Sequence, residues 1–511
     1  MFRTLQHRTR IGAVCAASLM AMALSGCGTD TPTATVGSTT TRGTLLYDPP
    51  LRIASLDAAT FAAELGATTS GAQLLALTGT PACGVDFYYI QYNTVGGKGE
   101  ATTASGALMV PTGSAACTGG RPIVLYAHGT DTARNTNIAD ITNASNTEGA
   151  LIAAMFAAQG YIVVAPNYAG YDTSTLPYHP YLNASQESKD MIDALTAART
   201  ALPHTLTTQS TDGGKLFLTG YSEGGYVAMA THSAMQAAGM AVTASAPMSG
   251  PYALEALFDT VFYGNVNIGS TAFTPLVVTS YQEAYGNIYQ SLTDIYEPNY
   301  APNMADVLPS NTPIDTLFAN GTLPESALFS STTPVTTDAT LNSALAVPAN
   351  PVFAAGFGAN NLVTNDYRLA YVLDAVANPD GASPAFTTGL PAANPQNTLR
   401  IAAKANDLRT WTPTSPVLMC GGDADPTVFF SVDTLVMQQY WAALPAGLIT
   451  VVDINAAVTG PTDPYLAVKT GYQTTIAGIA AAEGETAAVE ATHATEAPFC
   501  TAVARGFFAK F

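Results

Sequence analysis

The stretch Lys215-Leu-Phe-Leu-Thr-Gly220-Tyr-Ser222-Glu-Gly224 constrains this chain more than any other. Leu216 to Thr219 reads as a short apolar strand and Tyr226 to Met235 as a helix, so the residues between them must turn a strand into a helix in one step. Such a turn holds its central residue in a strained backbone conformation. It also brings strand and helix so close that a Cβ two positions to either side would clash, which accounts for glycine at 220 and 224. Ser222 is the only serine in the chain with glycine at both of those positions. A turn of this kind exposes its hydroxyl at the end of the strand. A serine nucleophile needs that exposure, an adjacent base and donors for the oxyanion it creates.

The same grammar runs through the rest of the chain. An entry hairpin spans Phe87 to Pro111, broken at Gly96-Gly97; strands follow at Pro122 to His128, Tyr161 to Pro166 and Ala241 to Ser249. Helical stretches lie around Gly149 to Gln159 and Ser185 to Ala201. Short, fully apolar strands alternating with amphipathic helices specify an α/β class: a mostly parallel sheet covered on both faces. With 511 residues and 48% hydrophobic content, the chain can bury a large core. The alternation stops between Pro251 and Trp411 and resumes with a strand at Pro416 to Cys420, a helix near Val432 to Ala443, a strand at Leu448 to Asp453 and a C-terminal helix ending at Phe511. An insertion of that size reads as a cap over the strand ends, where open sheets bind ligands. The expected organisation is a leader at 1–26, a tether at 27–45, a sheet core at 46–250, a cap at 251–411 and the rest of the core at 412–511.

The leader has a basic start (Arg3, His7, Arg8, Arg10) and an apolar run from Ile11 to Leu24, a secretory pattern too short for a comfortable span. The following Leu24-Ser25-Gly26-Cys27 resembles the lipobox of bacterial lipoproteins, which implies lipid modification of Cys27 and an extracytoplasmic protein anchored to a membrane or released. The threonine-rich stretch from Gly28 to Arg42 cannot pack and reads as a solvated tether. Without the three arginines of the leader, the remaining basic residues face 37 acidic ones, a net charge of −22. Nucleic acid and anionic lipid would repel such a surface, so the only membrane contact expected is the N-terminal anchor. No C-x-x-C pair suggests zinc or redox chemistry, and neither metal nor organic cofactor is called for.

For the base, the mature chain offers His128, His179, His204, His232 and His493. His232 lies ten residues along the helix from Ser222, about 15 Å, and cannot reach back. His128 precedes a glycine at the end of an early strand and reads as a loop-shaping residue. In sheets with this turn the partners follow in the order serine, acid, histidine, which leaves His493. The acid belongs on the turn after the strand at Pro416 to Cys420, where Asp423 and Asp425 compete. One oxyanion donor is the amide of Glu223, at the start of the helix, where the macrodipole also favours negative charge. The other comes from the loop His128-Gly129-Thr130-Asp131, with Thr130 ahead of Asp131. Four cysteines remain after Cys15 and Cys27, and an even number in an exported chain suggests two disulfides. Of three connectivities, Cys83 with Cys117 and Cys420 with Cys500 is the expected one, because the second would tie the acid turn to the segment bearing His493.

The segments Tyr126-Ala-His128-Gly129-Thr130, Asn167-Tyr168-Ala-Gly170-Tyr-Asp172, His179-Pro180-Tyr181-Leu182, Gly220-Tyr-Ser222-Glu-Gly-Gly225, Asn406-Asp407-Leu-Arg-Thr-Trp411 and His493 followed by Pro498-Phe499-Cys500 carry a resemblance. They resemble the secretory lipase family and its bacterial esterase relatives within the α/β-hydrolases. The resemblance covers roughly residues 85–250 and 400–511 and implies an α/β-hydrolase fold with a cap before the acid strand, a Ser-Asp-His triad and hydrolysis of small-molecule, lipid or polyester esters. The G-x-x-D-x-x-V register of many such enzymes selects Asp425, with Gly422 and Val428. A serine peptidase of the same fold is the second reading. A cell-surface binding protein without turnover is the third, against which three matched residues argue. Tyr281, Tyr285 and Tyr289, four apart, read as one helix face packed on the core or, alternatively, lining a substrate pocket. The His179-Pro180-Tyr181 step reads as structural.

Overall fold

The computed structural model describes residues 41–205 and 210–511. The leader, Cys27 and the tether to residue 40 lie outside the described residues. Nine strands form the main sheet: β1 (Leu51–Leu56), β2 (Gly84–Val95), β3 (Ala101–Thr112), β4 (Gly119–Ala127), β5 (Ile162–Pro166), β6 (Ser210–Tyr221), β7 (Ala244–Met248), β8 (Val417–Gly421) and β9 (Ile449–Asp453). Their order across the sheet is β1-β2-β3-β5-β4-β6-β7-β8-β9. The first three and β5 pair antiparallel, and from β5 to β9 every pairing is parallel. β5, β7 and β8 are buried along their whole length, which is why their sequences are apolar without alternation.

Helices cover both faces. α1 (Thr147–Met155) lies on one face with the C-terminal helix; α2 (Ala184–Ala201) and α3 (Glu223–Ala237) pack together on the other. Each face has its own apolar core. Between β7 and β8 the chain adds no strand to the main sheet among the described residues. It forms α4 (Leu254–Phe262), α5 (Ser270–Tyr285), α6 (Asn365–Ala377) and α7 (Thr398–Ala405) among long loops. Two buried arginines fasten this stretch. Arg400 on α7 pairs with Asp259 on α4 at 2.8 Å and with Asp374 on α6 at 2.9 Å, and Arg409 pairs with Asp380 and Asp407, each at 2.7 Å. Removing one partner of such a pair leaves a buried charge uncompensated, at a cost of roughly 3–5 kcal/mol.

Four elements have no counterpart in the sequence reading: β1, the helices at Ala58–Gly66 and Thr69–Thr78, and α8 (Leu466–Glu483). The C-terminal helix, α9 (Glu485–Phe508), is a 24-residue element that carries Pro498 inside it. Among the described residues, no helix is long and apolar enough to cross a membrane.

Both disulfides take the expected connectivity, Cys83–Cys117 and Cys420–Cys500. The second joins β8 to α9 across 80 residues of sequence. Loop-closure entropy for a link of that length is on the order of 4–5 kcal/mol. Replacing both Cys420 and Cys500 by alanine is therefore expected to lower the urea midpoint of unfolding somewhat more than replacing Cys83 and Cys117, whose 34-residue separation makes the loop-closure term about 0.8 kcal/mol smaller.

Candidate active site

The turn after β6 is as tight as its glycines require. Ser222 sits at φ 60, ψ −124, in the region that side chains other than glycine avoid. A Cβ on Gly220 would lie 2.3 Å from the Gly224 carbonyl oxygen, and one on Gly224 would lie 2.0 Å from that of Ala127. The strain is held by packing between β6, β4 and α3, with the Ser222 N–H donating to the Met248 carbonyl at 3.0 Å.

The structure brings three of the sequence-selected residues into one line. His493 Nε2 lies 2.8 Å from Ser222 Oγ, and His493 Nδ1 lies 2.6 Å from Asp425 Oδ2. Asp425 is buried, and its other oxygen accepts the N–H groups of Thr427 at 2.8 Å and Val428 at 3.2 Å. Asp423, two residues earlier on the same turn, is exposed. His493 lies in the third turn of α9. Pro498, five residues on, has no N–H and so removes the helical bond to the Ala494 carbonyl beside it. The His493 carbonyl accepts a hydrogen bond from the Tyr221 hydroxyl at 2.5 Å, which ties the helix to the end of β6.

The loop after β4 passes over the turn: a Cβ on Gly129 would lie 3.7 Å from Ser222 Cβ. The Gly129 N–H is taken by Glu148 at 3.1 Å, whereas the Thr130 N–H has no acceptor among the described residues. The Glu223 N–H, at the first position of α3, has no intrahelical acceptor. His128 turns away, stacked on Tyr168 at 4.1 Å between ring centres, with Nδ1 2.7 Å from the Gly129 carbonyl.

One cluster went unseen in the sequence. His179 Nε2 lies 2.7 Å from the side chain of Glu223 and 3.7 Å from that of Glu187, and all three are buried. Burial first, then the neighbouring Glu223, pushes the Glu187 carboxyl well above the usual carboxylate range. The signal was the His179-Pro180-Tyr181 step, which carried no hint of its carboxylate partners. This trio has metal-ligand chemistry, with its ligand atoms within 4.8 Å of one another. The 2.7 Å contact is nevertheless a hydrogen bond: two ligands each about 2.1 Å from a tetrahedral ion stand wider apart.

Ser222 lines a narrow cleft of about 70 Å³. Its walls are mostly apolar, with Leu257, Phe258 and Val261 from α4, Phe273 and Val277 from α5, and Leu328. The three tyrosines read as one helix face are not there. α5 ends at Gly286, a left-handed residue, so Tyr289 falls off the face. Tyr281 is buried and donates to the Leu182 carbonyl at 3.0 Å, the packing alternative.

Several other buried carboxyls sit away from the cleft. Burial raises Asp190 and Asp259 to about 6, and Glu255 to about 8 against the pull of Arg400. Burial lowers His232 to about 4. Acids with raised values give stability that is present below their unfolded values and lost as pH rises through the folded ones. His232 acts in the opposite sense between pH 4 and 6.5, and above that range Glu255, with a folded value of about 8, still holds a proton that the unfolded chain has lost. Stability is expected to fall between pH 6.5 and 8, by up to about 1.4 kcal/mol per pH unit for each proton retained. Urea midpoints across that range check it.

A family model described as the prolyl oligopeptidase family, peptidase S9, matches residues 149–262. No curated protein matches the chain. Among solved structures, the rice cell wall degrading esterase LipA from Xanthomonas oryzae is similar at 24% identity, with 91% of this chain and 98% of that one covered and a TM-score of 0.64. A second LipA structure aligns at 25% identity over 88% of this chain and all of that one, with a TM-score of 0.62. A Legionella pneumophila protein described as a hydrolase is similar at 18% identity over 91% of this chain and 97% of its own, TM-score 0.60. With the nine-stranded sheet, the turn at Ser222 and these likenesses together, the chain is a hydrolase with the α/β-hydrolase fold.

Proposed function

We propose that the chain is a serine carboxylesterase or lipase that acts outside the cytoplasm through an acyl-enzyme on Ser222. The observation that carries the reading is the hydrogen-bonded line Asp425–His493–Ser222, whose serine lines an apolar cleft. In this mechanism His493 Nε2 takes the Ser222 proton as Oγ attacks the ester carbonyl carbon, and Asp425 holds the imidazolium that forms. The carbonyl oxygen becomes an oxyanion facing the amides of Glu223 and Thr130. Losing one such donor costs on the order of 10²–10³ in rate. As the tetrahedral species collapses, the C–O bond to the alcohol breaks and His493 returns the proton to the leaving oxygen. Water, deprotonated by His493, then attacks the acyl carbon, and the carboxylic acid leaves with Ser222 restored.

The stretch 251–411 acts as the cap, setting which acyl or alcohol groups reach Ser222. The ester specificity is supported by the likeness to LipA, whose description is that of an esterase. The two disulfides fit an oxidising compartment, where the leader and a lipid on Cys27 would place the chain. The match to the prolyl oligopeptidase family supports a second reading, cleavage of an amide by the same groups. Assays of residues 28–511 on nitrophenyl esters of graded acyl length beside peptide anilides separate the two. Ester turnover is expected, and cleavage of anilides alone would make the protein a peptidase.

A further inference from the structure

We propose that Glu496 is a positioning residue for the His493–Asp425 pair, a neutral carboxylic acid that donates its proton to Asn455 while its other oxygen anchors Tyr221 and Ser249. The proposal rests on the roles given above to Ser222, His493 and Asp425. Glu496 lies three residues beyond His493 on α9, so the two side chains share a face of the helix. It is fully buried. Its Oε2 is 3.1 Å from Ser249 Oγ and 3.4 Å from the Tyr221 hydroxyl. Tyr221 immediately precedes the nucleophile, and the same hydroxyl reaches the His493 carbonyl and stands 3.4 Å from His493 Nδ1. Ser249 follows β7 in a strained conformation, φ 40, and its N–H donates to the Cys420 carbonyl at 2.8 Å. One carboxyl thus touches the nucleophile strand, the end of β7 and, through its own helix, the base.

The other oxygen identifies the proton. Glu496 Oε1 and Asn455 Oδ1 are both buried without a hydrogen-bond partner. Both press on the acid turn from the same side, since a Cβ on Gly422 would lie 2.2 Å from each. Two acceptor oxygens crowded against one point away from water, and so within about 4.4 Å of each other, are costly, and a proton on Glu496 satisfies both at once. The surrounding charges agree. The side chains of Asp425 and Asp453 lie near Glu496, Tyr221 and Ser249 reach it with hydroxyls, Tyr472 stands close by, and His493 is engaged by Asp425. Asp425 has two backbone N–H donors to stabilise an anion, whereas no backbone N–H reaches Glu496 among the described residues. Burial and the nearby Asp425 accordingly push the Glu496 carboxyl well above its ordinary range. With the proton in place, Gly422 and hence Asp425, whose N–H donates to the Gly422 carbonyl at 3.1 Å, are held at a set distance from His493.

The test compares the wild-type chain with Glu496→Gln and Glu496→Ala in urea unfolding from pH 4 to 9 and in steady-state turnover. Near pH 4.5 and below, native and unfolded chains both hold the proton, and Glu496→Gln should match the wild type in stability. As pH rises the unfolded wild type loses the proton while the native one keeps it, so Glu496→Gln should become the more stable of the two by a widening margin. Glu496→Ala should lose about 10- to 100-fold in kcat with KM within about threefold, a size set by misplacing a catalytic group. Glu496→Gln, which keeps the shape and a donor toward Asn455, should restore most of that loss. A Glu496→Gln variant less stable than the wild type at every pH would mean an ionised, paired carboxylate and overturn the proposal. So would a Glu496→Ala variant with unchanged kcat. A wild-type chain without turnover on esters or anilides would overturn the functional reading and the positioning role with it, whereas normal turnover with either failed comparison would overturn Glu496 alone.

Discussion

Replacing Ser222 with alanine is expected to lower kcat on a nitrophenyl ester by about 10⁴–10⁶ and to leave KM within about threefold. The asymmetry follows from what the hydroxyl does in the proposed mechanism. Oγ forms a bond only on the way to the tetrahedral species, whereas the cleft walls that hold the substrate, such as Phe258, Val261 and Phe273, are untouched. His493→Ala should cost a similar factor, and the double variant should be no worse than either, because nucleophile and base work as one unit. Rate measurements with an unfolding curve for each variant check this. Ester turnover that survives Ser222→Ala would remove the mechanism.

Asp425→Asn is expected to cost about 10⁴ in kcat, and Asp423→Asn less than about threefold. The two residues lie on the same turn, but only Asp425 reaches His493 Nδ1, at 2.6 Å. An asparagine there can still accept the N–H groups of Thr427 and Val428, so the turn keeps its shape. What it loses is the charge that supports the imidazolium, and its amide can hold the imidazole in the wrong tautomer. The pair of variants, each checked for an unchanged urea midpoint, assigns the acid. A crippled Asp423→Asn beside an active Asp425→Asn would reverse it.

The fold was largely legible because its signals are local. Fully apolar runs such as Ile162–Pro166 and Val417–Gly421 specify strands covered on both faces, and they form β5 and β8. β1 and α8 escaped because their patterns are weak: β1 is an edge strand, partly exposed along its length, and α8 buries only Lys469 and Tyr472. The long C-terminal helix was blurred by Pro498, which argues against a helix interior in any local reading yet sits inside α9.

In the candidate site, the sequence by itself determined the elbow. Glycine at 220 and 224 around Ser222 is a requirement written into adjacent residues, as close approaches of about 2 Å to backbone oxygens show. It also narrowed the partners to short segments, because strand order limits where a base and an acid can fall. Between the two aspartates on one turn the residues alone left a choice that the resemblance's register resolved toward Asp425, and the tertiary structure places Asp425 against His493, a geometry that depends on the path of a helix some 70 residues later. The tertiary structure alone also assembled His179 with Glu187 and Glu223, and Glu496 with Asn455 and Tyr221. Single polar residues scattered through apolar stretches leave no period or spacing to read. What selects them is the low-dielectric interior, where each buried oxygen must find a partner or a proton that only the folded chain can bring to it.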